Sequence, residues 1–288
     1  MSPDASNAFR QVYGFCGFIG SGKNTAARAI SDRYPFNTYI HSFAAPLKDA
    51  VADIFGWDRA LLEGTTLESR QWREQPDPYW TAEMGRHFTP RLALQEVGTN
   101  VFRAYYQNIW IAASAKRTEK PGAHIFTDCR FGNELRWMND TGGLTIWVYR
   151  RTPVSLSEAG QQAIDVIVRD ATPLFTLDPQ GVAHTAPALD FMWQEKAHAS
   201  ETAFLIEGAP QVHIVVSNTG DAGDLYRLIE HVDVLRTRGE LDVFPLGTRT
   251  LYLDYGNGSA FRWRYQIDTN QFVKLYNTLH EHDYASYS

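Results

Sequence analysis

The chain has 288 residues, enough for one large α/β domain with additions. Hydrophobic residues make up 44% of it and aromatic residues 13%, which excludes a disordered chain, because that much apolar area offsets the entropy of ordering. A formal net charge of -6 argues against a protein that lives on duplex DNA, although the acidic excess falls in residues 151–288 and leaves the first half free to bind phosphates.

A run rich in β-branched and aromatic residues at 12–15 predicts the first strand, followed by a glycine-rich loop and a helix over 23–33. A second strand is predicted at 38–43 and a second helix at 45–55, with Pro46 in its first turn, where a missing N–H costs nothing. Residues 89–106 read as one long helix opened by Thr89 and Pro90. Strands follow at 124–128, 144–149 and 212–217, and an amphipathic helix at 225–235. The strands show little polar alternation, which is how strands buried on both faces of a parallel sheet read. The expected fold is α/β, a P-loop doubly wound parallel sheet with helices on both faces. Residues 152–196 interrupt the alternation and are expected to form an insert or lid within a domain over 1–235. Residues 236–288 read as an extension packed on that domain, with short strands or hairpins and then a helix at 271–280.

Apolar runs are too short for a membrane-spanning helix, and the first residues lack a basic segment followed by an apolar one. Cys16 and Cys129 lie in strand-like stretches, as reduced buried thiols do, and suggest no metal site. A cytoplasmic protein is expected.

The strongest chemical signal is Gly17-Phe18-Ile19-Gly20-Ser21-Gly22-Lys23-Asn24-Thr25, set between a strand and a helix. A polyphosphate has to be surrounded by backbone N–H groups, and glycines let the main chain come close with the required dihedrals. The following helix points its free N–H groups and positive dipole end at the phosphates. Gly17, Gly20, Ser21, Gly22, Lys23, Asn24 and Thr25 are therefore the expected ATP-binding set, with Lys23 on the β- and γ-phosphates. Asn24 stands where Ser or Thr usually follows the lysine, which removes a common Mg2+ ligand; Mg2+ can still be held mainly by phosphates and water, with Thr25 nearby.

Further segments share a pattern with that loop: Ser42-Phe43-Ala44-Ala45-Pro46-Leu47-Lys48, Thr89-Pro90-Arg91 through Gln95, Gly98-Thr99, Phe102-Arg103 and Trp110. Thr127-Asp128-Cys129-Arg130-Phe131-Gly132-Asn133-Glu134, His198-Ala199-Ser200-Glu201 and Asn218-Thr219-Gly220 complete it. In order and rough spacing, over about residues 12–235, the chain resembles the bacteriophage deoxynucleoside monophosphate kinases. The resemblance implies ATP and Mg2+ as cofactors and a deoxynucleoside monophosphate as phosphoryl acceptor, in the host cytoplasm if the chain is viral. Partners are then the nucleotide and, at most, a second copy in a homodimer.

Phosphoryl transfer asks for positioning and positive charge. Lys23, Asp128 and Arg130 are the candidate catalytic residues. Asp128 ends a strand at the carboxyl edge, where ligands of open α/β sheets bind. It either reaches Mg2+ through water, or takes a proton, or caps the helix that follows. Arg130 either clamps the acceptor phosphate or pairs with Glu134 at helical spacing. By resemblance, Arg91 and Arg103 bind the acceptor phosphate, or else are solvated helix charges. Ser42 and Phe43 lie at a corner the family uses for the acceptor, although a core role is the ordinary one for a Phe. Lys48 is an acceptor candidate or a stem over apolar surface. Trp72 and Trp80 either stack on a base or pack under a loop. Two other functions fit the sequence. One is a kinase for a hydroxyl on a modified base within DNA, favoured by Arg262-Trp263-Arg264-Tyr265. The other is a non-catalytic nucleotide-binding regulator, hinted at by Asn24.

Overall fold

The computed structural model describes residues 10–151, 156–197, 199–243, 250–255 and 261–264. Nine strands run in chain order: β1 Arg10–Cys16, β2 Thr38–His41, β3 Gly122–Cys129, β4 Leu144–Tyr149, β5 Phe175–Leu177, β6 Ala183–Thr185, β7 Ile214–Ser217, β8 Leu251–Tyr255 and β9 Phe261–Arg264. The helices are α1 Lys23–Arg33, α2 Ala45–Phe55, α3 Arg59–Glu63, α4 Leu67–Glu74, α5 Pro78–Met84, α6 Pro90–Gln95, α7 Ile109–Ala115, α8 Gly132–Asp140, α9 Glu158–Arg169, α10 Ala199–Ile206 and α11 Ala222–Thr237.

Seven strands form one sheet in the order β2-β3-β1-β4-β7-β8-β9, parallel throughout except for the antiparallel β8–β9 pair at its edge. Period-2 alternation sends successive side chains of each strand to opposite faces. Tyr13 and Phe15 of β1, Ile125 of β3, Ile146 and Val148 of β4, and Val216 of β7 pack on one side with Ala26, Ala27 and Ile30 of α1 and Leu225, Leu228 and Ile229 of α11. Val12 and Cys16, Phe126, Trp147 and Tyr149, and Val215 face the other way, onto α2, α8, α9 and α10. Both faces are thus dry, and the chain is a doubly wound α/β sheet with helices on both sides.

Where the elements differ from the expected ones, local contacts give the reason. The second strand stops at His41 because the Phe43 and Ala44 N–H groups turn away from the ladder to the Asp128 carboxylate. The long helix over 89–106 is α-helical only to Gln95 and continues as a π-helix, Glu96–Arg103. There Gly98 sits so close to Leu47 that a Cβ would lie 2.6 Å from its Cδ2, and the Trp110 indole N–H donates to the Gly98 carbonyl. The stretch 152–196 contains α9 and the small β5–β6 hairpin. Residues 251–264 extend the main sheet itself through β8 and β9. The helix expected at 271–280 and the residue His198 lie outside the described residues. None of the described helices is long and apolar enough to cross a membrane.

Candidate active site

The sheet order places the end of β1 between β3 and β4, the point where successive crossovers turn in opposite directions and where open α/β sheets bind ligands. The glycine loop leaves β1 there. Gly17, Gly20 and Gly22 all have positive φ, at 136°, 76° and 107°. A Cβ on Gly17 would lie 2.5 Å from the Val148 carbonyl oxygen, and one on Gly22 would lie 2.7 Å from both Asn218 Nδ2 and Leu225 Cδ2. Glycine is thus required by space as well as by dihedral angle. Asn218, at the end of β7, fastens the loop from below: its side-chain amide donates to the Ser21 carbonyl over 2.7 Å. Its backbone N–H donates to the Tyr149 carbonyl, also over 2.7 Å. The Ser21 hydroxyl is buried and without a hydrogen bond, a polar group waiting for an acceptor.

Lys23 opens α1, and its ammonium donates to the Gly17 and Phe18 carbonyls at 2.8 and 2.7 Å. Burial, assisted by the Arg130 guanidinium, holds its pKa down at about 8, against the opposing pull of charges that include Asp128. An ammonium so poorly solvated and so loosely compensated is primed to exchange carbonyl oxygens for phosphate. Asn24 and Thr25 complete the first turn of α1, whose N–H groups have no partners within the helix.

Asp128, at the end of β3, does not cap the helix that follows it. Its carboxylate instead accepts the Ser42 hydroxyl at 2.5 Å and the Phe43 and Ala44 N–H groups at 2.9 and 3.1 Å, so it holds the start of α2. Three of its roughly four lone-pair sites are filled, which leaves one for a water or a metal ion. Ser42 and Phe43 are therefore part of the wall of the site. The Phe43 ring is buried against Phe126 and offers no face to a base; its contribution is the backbone N–H.

Arg130 is exposed, and among the described residues its guanidinium has no carboxylate partner. The pairing expected between Arg130 and Glu134 does not form. Glu134 is buried and takes the Arg103 guanidinium on one oxygen, and the Arg130 and Phe131 N–H groups at 2.8 and 3.2 Å on the other. Arg103 also lies 3.8 Å over the Phe131 ring. It thus supports the turn that carries Arg130 from behind. Burial raises the Glu134 carboxyl above the usual carboxylate range, and Arg103 opposes that rise. Arg91, on α6, is shared between Glu201 at 3.0 Å and Glu74 at 3.3 Å, so it can hold a phosphate only by exchanging carboxylates for it. Lys48 is committed to Glu63 at 2.6 Å. Trp72 and Trp80 pack against the Phe55–Trp57 aromatic group, with the Trp80 indole N–H on the Phe55 carbonyl.

Asp128 and Arg130 lie within electrostatic reach of Lys23, and Ser42 is bonded to Asp128. Two residues in this region carried no assigned role from sequence: Asn218, within a quoted motif, and Arg73 on α4. Arg73 lies within electrostatic reach of Arg91, Arg130 and Arg70.

No family model matches the chain. Among curated proteins it is similar to one of Acanthamoeba polyphaga mimivirus, provisionally named a deoxynucleotide monophosphate kinase, with 33% identity over 163 residues, 48% of this chain and 74% of the viral one. The chain belongs to the deoxynucleotide monophosphate kinase family. It is a P-loop kinase by loop, sheet order and relative together. Among solved structures it resembles shikimate kinase from Aquifex aeolicus vf5, with 14% identity and a TM-score of 0.38 over 80% of this chain and 99% of that one. A gluconokinase from Sinorhizobium meliloti 1021 gives 12% identity and a TM-score of 0.35 over 82% and 98%. Likeness at that level adds nothing to what the kinase's own sheet establishes.

Proposed function

We propose that this kinase transfers the γ-phosphoryl group of ATP to a deoxynucleoside monophosphate and releases the diphosphate, in supply of viral DNA synthesis in the host cytoplasm. The supporting observation is that Lys23, in the glycine loop, lies within electrostatic reach of Asp128 and Arg130, while Arg91 is held by carboxylates it can exchange. The attacking atom of such an acceptor is a phosphate oxygen, already ionised at neutral pH. It needs no general base, which frees Asp128 to position the start of α2. Lys23 and Arg130 then balance the charge on the transferring group.

The loop residues 17–25 fit ATP: two glycine positions have no space for a Cβ, and the buried Ser21 hydroxyl lacks an acceptor. Thr25 and, through water, the remaining lone pair of Asp128 would hold Mg2+, which would supply charge neutralisation there. Among the described residues there is no cluster of three or more His, Cys, Asp or Glu that could hold a metal.

The DNA-acceptor alternative rested on Arg262 and Arg264. Both are engaged: Arg262 with Asp254 at 2.8 Å, and Arg264 with Asp254 at 2.7 Å and with the Val168 carbonyl at the end of α9 at 3.0 Å. The deciding experiment is label transfer from γ-labelled ATP to each deoxynucleoside monophosphate and to base-modified duplex DNA. Product on DNA with every free nucleotide inert reverses the reading; no turnover with any acceptor leaves a regulator.

A further inference from the structure

α4 forms because Thr66 and Ser69 cap each other's backbone N–H groups, and this places Arg70 and Arg73 three residues apart on one side of the helix. The two arginines are treated differently by the fold. Arg70 is exposed and satisfied: Nε donates to the Gly64 carbonyl at 3.1 Å and Nη2 to the Thr65 carbonyl at 3.3 Å. Arg73 is drawn inward. Its Nε is buried with no hydrogen-bond partner, and its one contact of hydrogen-bond type is Nη1 to the Leu62 carbonyl at 3.5 Å, the far limit for such a bond. No carboxylate forms an ion pair with it among the described residues, although Glu74 is the next residue in the chain; Glu74 turns to Arg91 instead.

The chain also makes room for this side chain. Gly64 has a φ of 66°, and a Cβ there would overlap the Arg73 guanidinium. A half-buried cation with a free buried donor is a costly arrangement when the molecule stands alone. Arg91 and Arg130 carry the same sign and lie within electrostatic reach, and the Glu74 carboxylate offsets them only in part. Arg130 in turn is felt by Lys23, so positive groups recur from the glycine loop to α4, with Asp128, Glu74 and Glu201 set among them. Such a run is stable once an anion of high charge density enters it, and guanidinium forks match the oxygens of a phosphate monoester.

We infer that Arg73 is a phosphate-binding residue of the acceptor site, taking the acceptor's terminal phosphate monoester together with Arg91 and Arg130. The inference rests on the kinase reading above and adds to it a residue, a helix and a glycine. The competing role for Arg73 is a cap on the last carbonyls of α3.

Arg73→Met keeps the stem and removes the charge. In steady-state assays it should raise KM for the deoxynucleoside monophosphate about tenfold or more, with KM for ATP changed less than about twofold. Its ligand-free melting temperature should be equal to or above that of the parent chain, since an uncompensated charge has been removed. Inorganic phosphate alone should raise the melting temperature of the parent chain and not of Arg73→Met. Gly64→Ala, which displaces the guanidinium, should raise the same KM in part. Arg70→Met should leave both KM values alone. A lower melting temperature with an unchanged acceptor KM assigns Arg73 to α3 and overturns the inference, as does a rise in the ATP KM alone. If no deoxynucleoside monophosphate is phosphorylated, the kinase reading fails. The phosphate-dependent melting shift then still decides whether Arg73 binds a phosphate.

Discussion

At Asp233 one carboxylate with no exposed surface receives the Tyr13 hydroxyl, the Arg33 guanidinium and the Tyr34 hydroxyl, joining β1, α1 and α11. From Lys23 through Arg130 to Arg73 and Arg91 the matching is looser: among the described residues Arg130 has no carboxylate partner and the buried Arg73 Nε has no acceptor, while Arg91 takes Glu74 and Glu201. Both clusters hold buried or half-buried charge. The first is closed around its carboxylate, with donors from three side chains, and holds the scaffold under the P-loop. The second is open and is completed only from outside. The two clusters differ in how far their charged groups are matched by partners of opposite sign, not in burial or in the number of charges.

Breaking the closed cluster should have the largest effect. Asp233→Ala leaves Arg33 and two tyrosine hydroxyls without their acceptor, and loss of one partner of a buried network costs about 3–5 kcal/mol. Arg33 keeps some access to water, so the lower end applies. Denaturant unfolding should show that loss, while ATP affinity of the folded fraction should change little. A stability loss under about 1 kcal/mol would mean the network is not closed in solution.

Removing charge from the open cluster should do the opposite. Lys23→Ala should lower turnover about 10²-fold or more, at a melting temperature near that of the parent chain. The same lysine gives the comparison a pH axis. Its folded pKa is lowered to about 8, so between that value and the ordinary lysine value of about 10.4 the unfolded chain binds more protons, and this group's contribution to stability rises with pH. Activity runs the other way: kcat/KM for ATP should fall as pH rises through about 8, while kcat falls later, because bound polyphosphate stabilises the ammonium. Flat kcat/KM to pH 10 would remove Lys23 from the phosphate site.

Asp128 stands between the clusters, with most of its lone pairs engaged yet within reach of Lys23. Asp128→Asn sets an NH2 group against one of the donors now bound by the carboxylate and should cost about 1–3 kcal/mol of stability. If a water on the remaining lone pair meets Mg2+, the variant should also need more Mg2+ for half-maximal rate. An unchanged Mg2+ requirement confines Asp128 to holding the start of α2.

The closed and open regions were not equally legible in the sequence. β1, α1, α2 and β4 announce themselves through short apolar runs and a glycine loop, because strands buried on both faces admit few other patterns. Asp128 was legible as a strand-end carboxylate, but not its partners: Ser42, Phe43 and Ala44 come to it across the sheet edge, a contact that spacing along the chain does not encode. The π-helix was hidden for a like reason, since Gly98 meets Leu47 from a different helix. Arg73 had a local sign, the Thr66–Ser69 capping pair with two arginines at helical spacing. Which of the two turns inward depends on the absence of a Cβ at Gly64, nine residues away.

The smallest expected effect concerns the hairpin, whose arginines looked in sequence like a surface for nucleic acid. Arg262 is 56% exposed in its side chain and pairs with Asp254, which is 10% exposed. Arg264 is the deeper of the two, and it shares that carboxylate while donating to the last carbonyls of α9. Together they balance Asp254 and tie β8–β9 to α9 through a shared carboxylate and two carbonyls, although among the described residues the buried Arg264 Nε has no partner. An exposed ion pair contributes about 0.2–1 kcal/mol, and Arg264 remains to serve Asp254 when Arg262 is removed. Arg262→Ala should therefore lower the melting temperature by no more than about 2–4 °C, with KM for the acceptor and its salt dependence unchanged. A nucleic-acid groove predicts something else. Losing one phosphate contact there would flatten the dependence of log affinity on log salt by about one. A salt slope that changes in Arg262→Ala, at an unchanged melting temperature, would place the hairpin with the open clusters and return DNA to the list of acceptors.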